Sequence, residues 1–227
     1  MEREHTVIAK REPAGASSEA LSLIVGLAAV LFSGLYLVSD LVELTQGGFS
    51  TVQLALTPAA EAAIPLFVLG LYAVQRPQIG ALGLGGTVAY AYTFVFFTGT
   101  VWYALANGTS NWDALVEEMG LWMTIHGVLM VIAGLAFGLA VVRAGVLPRW
   151  TGLTLMAGVV LIAVSSGLPD AAQTASAGVR DLAFAGMGAS LLVARRRRVL
   201  RRSRNRDRAE ADAPSTRSTE VSAGWSG

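Results

Sequence analysis

Arg180 and Asp181 stand side by side inside an apolar run, Ala171 to Ala194, about nine residues or roughly 14 Å from its start at 1.5 Å per residue. Glu61 and His126 lie early in two other apolar runs, and Asp40 and Glu43 close a fourth. A charged group at the centre of a bilayer costs about 2.5 to 3.5 kcal/mol on insertion scales, so such residues face protein or water and take partners. Grouped, these six side chains can relay protons or bind a small solute. Paired, they can lock helices together. Arg180 calls for a carboxylate, and because neighbouring helical residues diverge by about 100°, Glu61, Asp40 or Glu43 is the expected partner rather than Asp181. Pro65 has no N–H to give the carbonyl of Glu61, which makes that spot polar twice over. At the head of its helix, Glu61 would also gain from the helix dipole.

The elements that must hold these groups are six apolar stretches: Ala20 to Leu41, Pro58 to Gln75, Ile79 to Leu105, Gly120 to Arg143, Trp150 to Leu168 and Ala171 to Ala194. Each is near the roughly 20 residues that cross a hydrocarbon core as a helix. The expected fold is therefore an all-α, polytopic transmembrane bundle of six helices. A composition of 53% hydrophobic and 15% charged residues, with a mean hydropathy of +0.54, is far from that of a soluble domain.

Charge placement supplies the topology. Arg3, Lys10 and Arg11 precede the first stretch, Arg76 follows the second, and Arg143 and Arg149 flank the turn between the fourth and fifth. Ten arginines follow the sixth, whereas the alternate connections carry no Lys or Arg. By the positive-inside rule both termini are cytoplasmic. The domain plan is a cytoplasmic leader over 1–19, a six-helix membrane domain over 20–194, and a cytoplasmic tail over 195–227 that is Arg-rich and then disordered. The arginine bias points to a bacterial cell membrane, with the first stretch an uncleaved anchor because its leader mixes acids with bases.

With span one ending outside and spans two, four and six beginning there, all six polar residues fall in the outer half of the membrane and are expected to share one outward-facing cavity. Trp102, Tyr103, Trp112 and Trp122 mark the outer boundary and Trp150 the inner one. Residues 110–119 read as a short interfacial helix with Glu117 and Glu118 facing outward. Asp170 followed by Gln173 reads as an N-cap with its capping-box partner.

Glycines supply the packing. Gly120, Gly127 and Gly134 recur every seven residues, and Gly134 with Gly138 fits the small-x-x-x-small pattern, so this face should seat a neighbouring helix. The run Gly80 to Gly86 lacks the Lys-Ser/Thr of a phosphate loop and reads as close helix packing.

Several chemistries are excluded by residue type. Without cysteine there are no disulfides or thiolate sites. The only histidine beside His126 is His5, in the leader, which rules out bis-histidine haem; the sole lysine, Lys10, leaves no transmembrane Schiff base. His-Glu-x-x-His and Gly-x-Ser-Gly are absent. No pattern calls for a cofactor, a metal or an enzymatic activity.

Arg195, Arg196, Arg197, Arg198, Arg201 and Arg202 open the basic tail, which should anchor the last helix at the cytoplasmic face against anionic phospholipid. Nucleic-acid binding is disfavoured, since no aromatic side chains interleave with the arginines. A homo-oligomer or another membrane protein is the expected partner beyond the bilayer.

The run Arg143-Ala144-Gly145-Val146-Leu147-Pro148-Arg149-Trp150-Thr151-Gly152, with two further helices and a basic end at Arg195, resembles uncharacterised six-helix bacterial integral membrane proteins of the domain-of-unknown-function type. The resemblance spans Leu21 to Ala194; it implies the architecture and carries no activity. Two functions remain open: a structural or regulatory membrane role, which is favoured, and a small-solute or proton-coupled carrier built on Glu61, His126, Arg180 and Asp181.

Overall fold

The structure, a computed structural model, describes residues 14–211, with side chains from 18 to 208. All regular structure among these residues is helical: α1 (Ala14–Gln46), α2 (Thr51–Val74), α3 (Gly80–Asn107), α4 (Trp112–Met119), α5 (Leu121–Ala144), α6 (Arg149–Ser165) and α7 (Asp170–Ala211). The leader up to residue 13 and the expected disordered stretch beyond 211 lie outside the described residues. Five helices, α1, α2, α3, α5 and α7, are long and apolar enough to cross a membrane, and α6 is a shorter apolar helix of 17 residues.

Each long helix packs on its neighbours in sequence, α4 standing aside, and α7 closes back on α1. The result is a ring in the order α1, α2, α3, α5, α6, α7. Aromatic side chains meet across its interior: Phe67 of α2 and Tyr90 of α3 both reach Phe184 of α7, with ring centroids 5.4 and 5.7 Å apart. Phe137, Leu71, Met187 and Val68 complete this apolar plug, all with 0% exposure.

Helix ends differ from the sequence expectation where polar residues point inward. Ser50 accepts from the backbone N–H of Gln53 and caps α2 eight residues before Pro58, so Glu61 is the eleventh residue of its helix and outside the reach of the dipole. α1 likewise continues through Asp40 and Glu43 to Gln46, making them helix residues rather than its closing edge. α6 stops at Ser165, short of Leu168, because Gly167 takes a φ of +83° and Pro169 follows. α7 opens behind Pro169, and Gln173 donates to the carbonyl of Leu168 at 2.8 Å instead of closing a capping box on Asp170. It then runs without a break into the arginine tail.

The short helix α4 forms as expected. Asn111 caps it by accepting from Ala114 N–H at 2.9 Å, Leu115 is buried, and Glu117 and Glu118 are exposed.

Glycine seats are realised selectively. A Cβ at Gly86 would sit 2.6 Å from the backbone nitrogen of Phe137, and one at Gly138 2.8 Å from the carbonyl oxygen of Gly152. Gly134 lies under Val159 and Tyr90. Gly127 meets nothing within 4 Å, because the antiparallel register that pairs Gly138 with Gly152 places Gly127 level with the end of α6. Gly120 is the joint between α4 and α5, with a φ of +53°. The seven-residue glycine repeat is thus one packing seat, one joint and one open position.

Candidate functional site

Arg180 is 4% exposed and Asp181 3%, both facing the ring interior. Gly158 of α6 makes this possible: a Cβ there would lie 2.6 Å from the backbone nitrogen of Arg180, so the α7 backbone is pressed against α6 while its side chains turn inward. The guanidinium pairs with its own neighbour. Nε donates to Asp181 Oδ1 at 2.9 Å, and Nη2 lies 2.9 Å from the same oxygen without hydrogen-bond alignment. The expected interhelical partner is therefore not the observed one; the Arg side chain is long enough to curl across the 100° between adjacent residues.

What joins α7 to the other helices here is an aromatic clamp. The guanidinium carbon lies 4.6 Å from the centre of the Tyr36 ring of α1 and 5.5 Å from that of Phe94 of α3. Tyr36 also donates its hydroxyl to Glu61 Oε1 at 3.0 Å. One tyrosine thus holds the cation on its face and the α2 carboxyl on its rim. Asp40 lies one helical turn beyond Tyr36 on α1, with its Oδ2 buried.

Several atoms of this cluster are buried without a partner: Glu61 Oε2, Asp181 Oδ2, Asp40 Oδ2 and the Tyr90 hydroxyl. An unsatisfied buried polar atom typically costs about 1 to 3 kcal/mol, and such atoms mark sites where another species belongs. Among the described residues no three Asp, Glu or His side chains converge as a metal ion requires.

Glu43 belongs to a second tier nearer the end that carries Ser50 and Pro169. Gln53 Nε2 donates to Glu43 Oε2 at 2.9 Å and to Thr57 Oγ1 at 3.1 Å, and Ser39 Oγ meets Thr57 Oγ1 at 2.6 Å. Gln53, Thr57 and Glu61 fall four residues apart on α2, opposite Glu43, Ser39 and Tyr36 on α1, so a polar seam runs down the α1–α2 contact to the Arg180 cluster.

His126 stands apart from all of this. It lies on α5, whose main contacts are with α3 and α6, and its own partners are Trp122, Tyr92 and Phe96, so it does not join the other expected cavity residues around Arg180. Its Nδ1 is 2.8 Å from the carbonyl oxygen of Trp122, which can only accept, so Nδ1 bears the proton. Nε2 is then free to accept from the Tyr92 hydroxyl at 3.3 Å, while the ring stacks on Phe96 at 3.6 Å. Tyr92 is 56% exposed on the outside of the bundle, and His126 gives its hydroxyl a partner there. Tyr92→Phe removes the hydroxyl and leaves His126 Nε2 without its donor, and is expected to cost about 1 kcal/mol. His126→Ala strands the hydroxyl and loses the stacked ring; its melting temperature in detergent should fall well below that of Tyr92→Phe, and equal values would show the pair to be idle.

Tyr36, Gln53, Thr57 and Ser39 are site residues that residue type alone did not single out. Their signal was spacing: polar side chains every three or four positions along otherwise apolar helices.

The all-helical ring, with several helices long and apolar enough to cross a membrane, is of the multi-pass membrane class. Compared with family models, with curated proteins and with solved structures, the chain matches none.

Proposed function

We propose that the chain is a six-crossing membrane protein, with both termini cytoplasmic, in which the Glu61–Tyr36–Arg180–Asp181 cluster binds protons and couples them to a small solute. Six crossings fit the ring, because α6 lies between α5 and α7, and its 17 residues are at the short end of what spans a bilayer. The alternation of basic and non-basic connections orients it. The arginine-rich bias and the resemblance to six-helix bacterial membrane proteins favour a bacterial cytoplasmic membrane.

The observation that carries the proton reading is the excess of carboxyl groups. Arg180 pairs with Asp181 alone, Glu61 is held by the Tyr36 hydroxyl, and Glu61, Asp181 and Asp40 each leave an oxygen buried and unpartnered. Fully ionised, the group would hold three negative charges against one positive in a low-dielectric interior. Protons are fitting counter-ions for carboxyl oxygens buried without a partner. The seam from Glu43 through Gln53, Thr57 and Ser39 gives them a polar route in from one end, and the Phe67–Tyr90–Phe184 plug closes the other.

A purely structural role is favoured by one observation, the clamp of Tyr36 and Phe94 on Arg180, which ties α7 to α1 and α3. Glu61→Gln separates the two readings, because the amide keeps an acceptor for Tyr36 but cannot titrate. The expected result is a folded variant whose melting temperature in detergent has lost the pH dependence shown by the wild type. A variant that fails to assemble, or a wild type with no such dependence, would leave the clamp as the whole purpose of the cluster.

A further inference from the structure

At the far end of α7, about 22 Å along the helix from Arg180 at 1.5 Å per residue, the α1–α7 seam opens. Above the opening the helices touch backbone to backbone: a Cβ at Gly26 would lie 3.0 Å from the Gly188 oxygen, and one at Gly188 2.6 Å from the Gly26 oxygen. One turn further on, the seam becomes a small cleft lined by Glu19, Ser22, Leu191, Ala194, Arg195 and Arg198. Its floor is apolar, with Leu191 only 8% exposed, and its rim is cationic.

The acids and hydroxyls of the cleft are already engaged. Glu19 Oε1 lies 2.6 Å from Arg202 Nη1, and Ser22 Oγ donates to the carbonyl of Ser18 at 2.9 Å. Arg195 is different: its Nε is buried and has no hydrogen-bond partner. Arg198 stands three residues on and shares the cleft. Two guanidiniums on one helix face, one with a buried donor aimed at no acceptor, match the forked geometry that phosphate oxygens accept. The apolar floor beside them suits the glycerol and upper acyl chain of a lipid better than it suits a free anion. The level is also right, since Arg195 is the first charge after the apolar part of α7, where headgroup phosphates lie.

We infer that this cleft is a binding site for the phosphate of an anionic phospholipid, with Arg195 and Arg198 as its donors and Leu191 as its acyl wall. Glu19 holds Arg202 aside and keeps it from filling the cleft. The site is independent of the proton cluster.

The full chain in phosphatidylcholine nanodiscs, with phosphatidylglycerol added in increasing proportion, tests the assignment by melting temperature. Stabilisation by phosphatidylglycerol is expected, with Arg195→Gln and Arg198→Gln each weakening its apparent affinity about fivefold, the worth of one basic residue at the surface. Arg197→Gln and Arg201→Gln remove the same charge outside the cleft and are expected to change it far less. Equal losses in all four variants would reduce the site to a diffuse basic patch and overturn it. Equal stabilisation by inorganic phosphate in phosphatidylcholine alone would reassign the cleft to a free anion. Should Arg195→Gln not assemble, Arg198→Gln against Arg201→Gln carries the same comparison.

Discussion

Arg180→Met is expected to destabilise the protein by about 3 to 5 kcal/mol, and the double variant Arg180→Met with Asp181→Leu to recover most of that loss. The single change leaves Asp181 buried with neither its hydrogen bond nor its ion-pair partner, since Nε and Nη2 both address one Asp181 oxygen at 2.9 Å. Removing the pair together replaces two buried charges by apolar volume in a region already lined by Tyr36 and Phe94. Reversible unfolding in mixed micelles measures all three variants, including Asp181→Leu alone, as a double-mutant cycle. A double variant no better than Arg180→Met would mean that the guanidinium chiefly serves Glu61 and Asp40.

Gly158→Val and Gly86→Val are expected to prevent assembly, each costing about 3 kcal/mol or more through overpacking against backbone that cannot yield. At Gly158 the new Cβ would lie 2.6 Å from Arg180 N and 2.8 Å from its Cα; at Gly86, 2.6 Å from Phe137 N and 3.0 Å from its Cα. Gly85, Gly99 and Gly127 meet nothing within 4 Å, so Ala at any of them should be tolerated. Yield of monodisperse protein in detergent reads the contrast directly. A well-folded Gly158→Val would show that α6 can withdraw from Arg180.

The apolar stretches were legible in the sequence because transmembrane helices are set by length and hydropathy, and all six fall on helices. Their ends were not. Asp40 and Glu43 read as the close of the first stretch, whereas α1 continues through them to Gln46 and α2 starts at Thr51, so that Glu43 meets Gln53 across the seam. Polarity measured along a chain does not say which face carries it; the four-residue step from Gln53 to Thr57 to Glu61 does. Counting charged residues inside apolar stretches singled out Arg180, Asp181, Glu61 and Asp40, along with His126 and Glu43. It did not yield the Arg180–Asp181 pair, because a rule about backbone directions ignores the reach of a long side chain. His126 was misplaced for a topological reason: the order of helices around the ring puts α5 opposite the cluster, and hydropathy contains no ring order.

The closure of α7 on α1 sets a timetable for biosynthesis. Ribosomal synthesis delivers α1 and α2 first, with Tyr36, Asp40 and Glu61, and the guanidinium of the cluster, Arg180, arrives later on α7. Until then the acidic face of the first hairpin has no cation, and the ring is a horseshoe with two unsealed flanks. A ribosome stalled before Asp170 would leave behind a chain that quality-control proteases can recognise by that open edge, while a finished chain hides it.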